Sequence, residues 1–405
     1  MGDVRPYILL GKELQNRGHQ VKLTAFEDFE EPVTQAGLLF APIKGSVTQY
    51  MSAIMQPGTN GFNYLQRLEF CLKNVVKTLP ADLMDACRDA EAIVCTYFGS
   101  MMYSIAEKNC IPCIQTHYFP MDGNAHYPIS SAPNIRLGKV WNRTTYRIGY
   151  LMISTLERRY LKDWRLEQGV DIRRISSRPN YEVCGHVVPV LYAMSPLVMP
   201  RPSTWGEHIR MTGYWTDAYQ APYTPSPELE AFLDETPQPV YIGFGSMVSG
   251  DMGNTLKIVM DGIREAGIRA VLMKGWGGAD IQPTQDVYIG DYIPHDWLFE
   301  KVSAVVHHGG AGTIAASLRA GRPTFVVPFG GDQFFWGRRV NALGCGPKPI
   351  GRTHLTAEKL AKALLDLLGN GAYRVAAGEL GMRLMKEDGT ANAADIIEEE
   401  IKKWH

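Results

Sequence analysis

The sequence predicts an α/β protein of two doubly wound domains facing a central cleft. Three observations predict it. Short strand-like runs alternate with helix-like stretches along most of the chain. A glycine-rich turn near residue 309 separates an apolar run from a helical pattern, the kind of junction beside which open parallel sheets bind ligands. The length, 405 residues, exceeds the roughly 250 to 300 residues at which single cores stop growing.

The elements follow in order. After Pro6, apolar residues Ile8, Leu9 and Leu14 keep helical spacing up to Gly18, and residues 19–25 and 37–42 read as strands. Residues 62–87 carry a helical pattern, and 92–96 and 112–116 are buried strands around a helix at 99–108. From 117 to 160 the pattern breaks into a loop bearing Tyr118, Phe119, Met121, His126 and Tyr127, then a long aromatic-rich helical stretch. Such a loop suits either a lid or an apolar binding wall, and filling an interface beneath the loop suits the same residues. Residues 187–197 are strand-like. A proline-bearing stretch without periodicity follows and ends where Ser226 caps a helix through 234, which reads as a linker between domains 1–220 and 221–405. The second domain alternates a strand at 240–244, a helix at 254–266 and strands at 269–273 and 287–290, and closes on helices at 357–368, 372–385 and 391–403. The charged run at 398–404 reads by itself as a solvated helix face.

Residues 302–340 organise the rest. The apolar run at 304–306 leads into two histidines, then Gly309, Gly310, Ala311 and Gly312, with a helix beginning near Thr313. A strand feeding a tight turn and a helix start leaves N–H groups unpaired where the helix dipole is positive, so a phosphate is the natural occupant. A second strand at 324–327 ends in Pro328, and Asp332 with Gln333 follow in the next turn, on the same rim of the sheet. The strand at 240–244 likewise ends in Gly245 and Ser246, a small hydroxyl suited to a diphosphate. Each motif alone also serves as a plain strand-to-helix connection. Asp3, ahead of the first helix, is a natural N-cap.

Composition excludes several classes. Hydrophobic residues make up 45%, charged residues 20%, and the net charge is -1, which suggests no nucleic-acid partner. No run of about 18 apolar residues and no leader pattern at the N-terminus are found, so a cytoplasmic protein is expected. The 7 cysteines are scattered, and Cys110 with Cys113 stands as a lone C-x-x-C, better read as buried structural thiols than as a redox or zinc site.

Residues 291–340, with YIPHDWLF, VVHHGGAGT and PFGGDQFFWGRRV, resemble the donor-binding signature of sterol glucosyltransferases, within the inverting nucleotide-sugar-dependent glycosyltransferases of GT-B fold. IGFGSM and the N-terminal GDVRPYILLGKELQNRGHQVKLTA fit the same family. The resemblance implies transfer of glucose from UDP-glucose to the 3-hydroxyl of a sterol by a monomer. A macrolide, glycopeptide or triterpenoid acceptor, or a non-catalytic nucleotide-sugar binding protein, are the alternatives. It places uracil at Tyr292 and Ile293, the diphosphate at His308, Gly310, Ala311, Gly312, Thr313 and Ser246, and the glucose hydroxyls at Asp332 and Gln333. Asp3 becomes the general base, with His117 and His126 as weaker candidates. No cofactor and no metal are implied, and the sequence has no Asp-x-Asp that would hold a divalent ion. Family members carry an apolar strand ahead of the segment matching Gly2-Asp3-Val4, so the first strand of the N-terminal domain is expected to be missing from this sequence. The last helix is expected to cross back onto the first domain. A sterol acceptor implies transient contact with membrane surfaces, although the sequence shows no basic amphipathic helix.

Overall fold

A computed structural model describes residues 4–46, 73, 77–96, 99–130, 132, 137–170, 182–216, 223–245, 252–275 and 282–404. The N-terminal part opens with α1 (Arg5–Asn16), whose first turn holds Pro6 with its fixed φ and whose inner face buries Ile8, Leu10 and Leu14. β1 (Lys22–Phe26), α2 (Glu30–Gln35) and β2 (Leu39–Ile43) follow, the two strands pairing in parallel. Next come β3 (Ile93–Cys95), α3 (Gly99–Asn109), β4 (Cys113–His117) and the long α4 (Gly138–Glu167). A small hairpin of β5 (Glu182–Val183) and β6 (His186–Val187) precedes β7 (Val190–Tyr192) and β8 (Ile209–Met211). The strand expected over 187–197 is thus two short pieces, because Pro189 interrupts the run. β3, β4, β7 and β8 form a parallel sheet in that order, and β1 and β3 each pair on one edge among the described residues.

The C-terminal part starts at α5 (Pro227–Asp234), capped as expected by Ser226 Oγ accepting from the Leu229 N–H. β9 (Val240–Gly243), α6 (Met252–Ala266), β10 (Ala270–Met273), β11 (Val287–Gly290) and the short α7 (His295–Leu298) come next. Then follow β12 (Ala304–His307), α8 (Ala311–Arg319), β13 (Thr324–Val326) and α9 (Gln333–Ala342). The chain closes with α10 (Ala357–Gly369), α11 (Gly371–Leu384) and α12 (Gly389–Lys402). The sheet order is β11-β10-β9-β12-β13, all parallel. The chain winds outward from β9 to β11, then returns to the far side of β9 to lay down β12. The topological switch therefore lies between β9 and β12, where a crevice opens beyond the strands' carboxyl ends.

One apolar cluster joins the two parts: Tyr192, Met194, Trp205 and Tyr214 pack with Ile314, Leu318, Phe335 and Trp336. Arg339 on α9 donates from Nε and Nη2 to the Val198 carbonyl at 3.0 and 2.7 Å. α12 returns to α1, as expected, burying Ala393, Ala394 and Ile397 against Leu10, Leu14, Ile114 and Trp215. Its charged run is not simply solvated. Glu398 meets His19 at 2.9 Å, and Arg210 reaches Glu399 and Glu400 at 2.8 and 2.9 Å, because the docked helix brings the acids over basic residues of the first domain. A second correction concerns α4, which does carry apolar and basic residues together on an exposed face.

The apolar seam, not the ion pairs, holds α12. Ile397→Ala is expected to cost about 2–5 kcal/mol, as large-to-small core changes do, and Glu399→Ala far less, as exposed pairs do. Urea unfolding of the two variants measures both.

Candidate functional site

β12 is fully buried between β9 and β13, and it ends by delivering His307 and His308 to the switch-point crevice. Gly309 has φ +95°, and a Cβ there would lie 2.7 Å from Val326 Cγ1 and 3.1 Å from the Gln333 carbonyl oxygen. Only glycine allows this left-handed turn to press against the start of α9. That contact brings the glycine turn and the Asp332–Gln333 turn together.

His307 fixes the turn. It is wholly buried, and its Nδ1 accepts from the Gly309 N–H at 2.9 Å. The ring is neutral, since burial and the neighbouring His308 hold its pKa well below the ordinary value. The proton is therefore assigned to Nε2, which faces Ser317 Oγ at 3.5 Å, and that hydroxyl in turn donates to the Ile314 carbonyl at 3.2 Å inside α8. The sequence reading singled out His308 and passed over His307, although a polar residue ending a fully apolar strand was the available signal.

At α8 the N-cap Gly310 supplies no side chain, and its carbonyl takes the Ile314 N–H at 2.9 Å. The N–H groups of Ala311, Gly312 and Thr313 have no protein acceptor among the described residues. They face outward with the positive end of the helix dipole behind them. The His308 ring stands beside them: a Cβ on Gly310 would lie 2.6 Å from its Nε2, and one on Gly245, at the end of β9, 3.0 Å from its Cε1. Its Nδ1 is buried without a hydrogen-bond partner among the described residues. Burial, then the charge of His295, holds its pKa down at about 4, so the ring is neutral near pH 7. A neutral imidazole with an unmatched nitrogen, flanked by free helix N–H groups, is built to receive an anion.

Asp332 and Gln333 are partly exposed at the start of α9 and oriented by their own element. The Trp336 indole donates to Asp332 Oδ2 at 3.0 Å, and Gln333 Oε1 accepts from the Phe329 and Gly330 N–H groups at 2.8 and 3.2 Å. Tyr292 is 77% exposed, its ring open to stacking, while Ile293 is buried in the apolar layer of Tyr241, Val271 and Phe299. Next to them Asp296 pairs with Arg5 of α1 at 2.7 Å, a tie between the two halves that the sequence did not announce. Asp3 and Ser246 lie outside the described residues, as does most of the helical pattern at 62–87.

The 118–130 loop is held from two sides. Tyr192 Oη donates to Asp122 Oδ2 at 2.6 Å and accepts from the Met121 and Asp122 N–H groups at 3.0 and 2.9 Å. α4 grips the other side: Asn124 Nδ2 donates to Tyr146 Oη, Asn142 Nδ2 to the Ala125 carbonyl, and Tyr150 Oη to the Met121 carbonyl. Tyr127 packs edge-on to Phe335 with centroids 5.3 Å apart, so this aromatic fills the interface between the halves. His126 is exposed at its rim, whereas His117 ends β4 against Tyr192, with burial lowering its pKa to about 4. Cys113 is buried and Cys110 exposed, and the described cysteines are all free thiols.

His117, His295 and His308 all have pKa values lowered from 6.5 to about 4. Between those values the unfolded chain binds protons that the folded chain does not, so stability falls as pH drops from about 6.5 towards 4. The expected result is a lower urea midpoint at pH 5 than at pH 7, with part of the difference lost in His295→Phe.

Comparison with known proteins agrees with this architecture. Residues 1–127 match the model of the glycosyltransferase family 28 N-terminal domain, and residues 279–399 that of the erythromycin biosynthesis protein CIII-like C-terminal domain. The chain is 31% identical, over 99% of its length, to a sterol 3-beta-glucosyltransferase of Debaryomyces hansenii, and spans 26% of that much longer protein. Among solved structures, the glycosyltransferase of kitacinnamycin superposes with a TM-score of 0.69 at 18% identity, covering 98% of this chain and 95% of that one. The glycosyltransferase VinC in complex with dTDP gives 0.65 at 16% identity, covering 99% and 96%. The chain is a homologue of the sterol 3-beta-glucosyltransferases, folded as a GT-B pair of parallel-sheet α/β domains.

Proposed function

We propose that the chain transfers glucose from UDP-glucose to the 3-hydroxyl of a sterol with inversion at the anomeric carbon. The observation that carries the proposal is the anion cradle at the switch point: the open N-terminus of α8 beside the half-buried, neutral His308, whose Nδ1 lacks a partner among the described residues. In this reading residues 221–405 bind the donor and residues 1–220 the acceptor. Uracil stacks on Tyr292 and its polar edge meets the Ile293 backbone. The diphosphate sits against His308, Gly310, Ala311, Gly312, Thr313 and Ser246. Asp332 and Gln333 hydrogen-bond the glucose hydroxyls. The sterol assignment is supported by the relative's name.

In the step itself Asp3 accepts the proton of the acceptor hydroxyl while that oxygen bonds to the anomeric carbon. The bond from that carbon to the phosphate oxygen breaks from the opposite face, and UDP leaves with the electron pair. Negative charge grows on the diphosphate, where the α8 dipole and a hydrogen bond from His308 oppose it without a metal ion.

UDP release from UDP-glucose tests this, with cholesterol, ergosterol and non-sterol alcohols as acceptors. Sterol-dependent release is expected, reduced about 10²- to 10⁴-fold in Asp3→Asn, as loss of a general base costs. His308→Ala is expected to lower kcat about 10²- to 10³-fold, as loss of a transition-state donor does. Release that responds equally to every alcohol removes the sterol assignment, and UDP-glucose binding without release for any acceptor removes turnover.

A further inference from the structure

The face of α4 turned away from the loop presents Val140, Ile148, Leu151 and Met152 to solvent, with exposures of 78, 49, 66 and 49%. At 3.6 residues per turn these four lie within one stripe. Such a stripe of large side chains on one helix is not ordinary surface, because apolar patches of this kind mark contact sites. Lys139, Arg143 and Arg147 are exposed along its flank, and no ion pair is found for them among the described residues. No acidic residue occurs from 137 to 156. An apolar stripe edged by unpaired cations complements a bilayer with anionic headgroups: the aliphatic side chains enter the headgroup boundary and the cations meet the phosphates. Among the described residues no helix is long and apolar enough to cross a membrane, so the geometry is one of lying on the surface.

The opposite face of the same helix holds the loop proposed to receive the acceptor. Thr145 Oγ1 accepts from the Ile129 N–H at 2.9 Å, and Tyr146, Tyr150 and Asn142 bind Asn124, Met121 and Ala125. One helix thus holds the loop on one side and presents, on the other, an apolar and basic face that is unpartnered among the described residues. We propose that this outward face docks the chain on anionic lipid bilayers, so that a membrane-dissolved acceptor is drawn from the lipid beside the wall that binds it. The part concerning acceptor uptake rests on the sterol reading above; the docking itself does not.

Co-sedimentation with phosphatidylcholine vesicles, with and without phosphatidylserine, tests the docking. Binding is expected to require phosphatidylserine and to weaken with salt. Each cation near such a surface is worth roughly five-fold, so Arg143→Gln with Arg147→Gln should lower partitioning roughly 30-fold. Val140→Ser with Leu151→Ser should also lower it, whereas Lys257→Gln on α6 should leave it unchanged. In the activity assay the arginine pair should lose turnover on vesicle-embedded sterol and keep it on detergent-dispersed sterol. Equal binding by wild type and both paired variants overturns the proposal. So does self-association broken by those variants with vesicle binding intact, which would make the face a contact between two copies. Phosphatidylserine-dependent binding without turnover on any sterol keeps the docking surface and removes the acceptor reading.

Discussion

The site depends on one constraint: a helix that starts without a cap. A helix leaves its first N–H groups unpaired, and most helices satisfy them with a Ser, Thr, Asp or Asn side chain. α10, α11 and α12 of this chain do so through Thr356, Asn370 and Asp388, and α5 through Ser226. α8, like α1, α2, α4, α7 and α9, has no side-chain cap, and here the capping position is Gly310 with His308 beside it. The cost of that omission is offset by burial of the strand that precedes it and by His307, which holds the Gly309 N–H and leans on Ser317 of the same helix. The groups left open are therefore rigid, and rigid donors need no reorganisation when charge develops before them.

The same logic sets the order of the elements. Because β12 returns to the inner edge of β9, the ends of those two strands converge, and Gly245 and His308 come into contact although 63 positions separate them in the sequence. The start of α9 is pulled in by Gly309, so three strand ends feed one crevice. Packing then carries the arrangement outward. Phe335 and Trp336, on α9 itself, belong to the C-terminal contribution to the cluster shared with Tyr192 and Trp205. The helix that presents Asp332 and Gln333 is thereby also the helix that seals the two halves together.

The C-terminal alternation was legible because each strand there is a short apolar run closed by glycine or proline, and the strand at 287–290 matches to the residue. The junction of β12, the glycine turn and α8 was legible for the same reason, a local motif read as strand, turn and helix. What the sequence did not disclose depends on contacts between distant segments. His307 looked like half of a histidine pair, and only burial beside Ser317 gives it a role. Arg5 and Asp296 are 291 positions apart, and nothing local in either foretells their pairing. The acidic run on α12 read as solvated because its partners, His19 and Arg210, lie in the other domain. Tyr127 was read as a wall or an interface filler, and the packing on Phe335 decides for the interface.

α4 shows why periodicity alone misleads. Its sequence mixes aromatic, polar and basic residues, so an averaged view finds neither a core helix nor an amphipathic one. The structure separates two faces with different partners. Inward, Asn142, Thr145, Tyr146 and Tyr150 bond to loop backbone and to Asn124, and with Gly149 they leave room for Ile129. A polar inward face is unusual for a helix and follows from its task, since a loop has backbone groups that must be paired when buried. The apolar side chains that would ordinarily pack inward are thereby left for the outer face, where Val140 and Leu151 stand open. The inversion of the usual pattern has one cause and is confined to the first half of α4: there the helix satisfies a loop rather than a core, whereas Leu161 further along packs in the core with Met101 and Ile105.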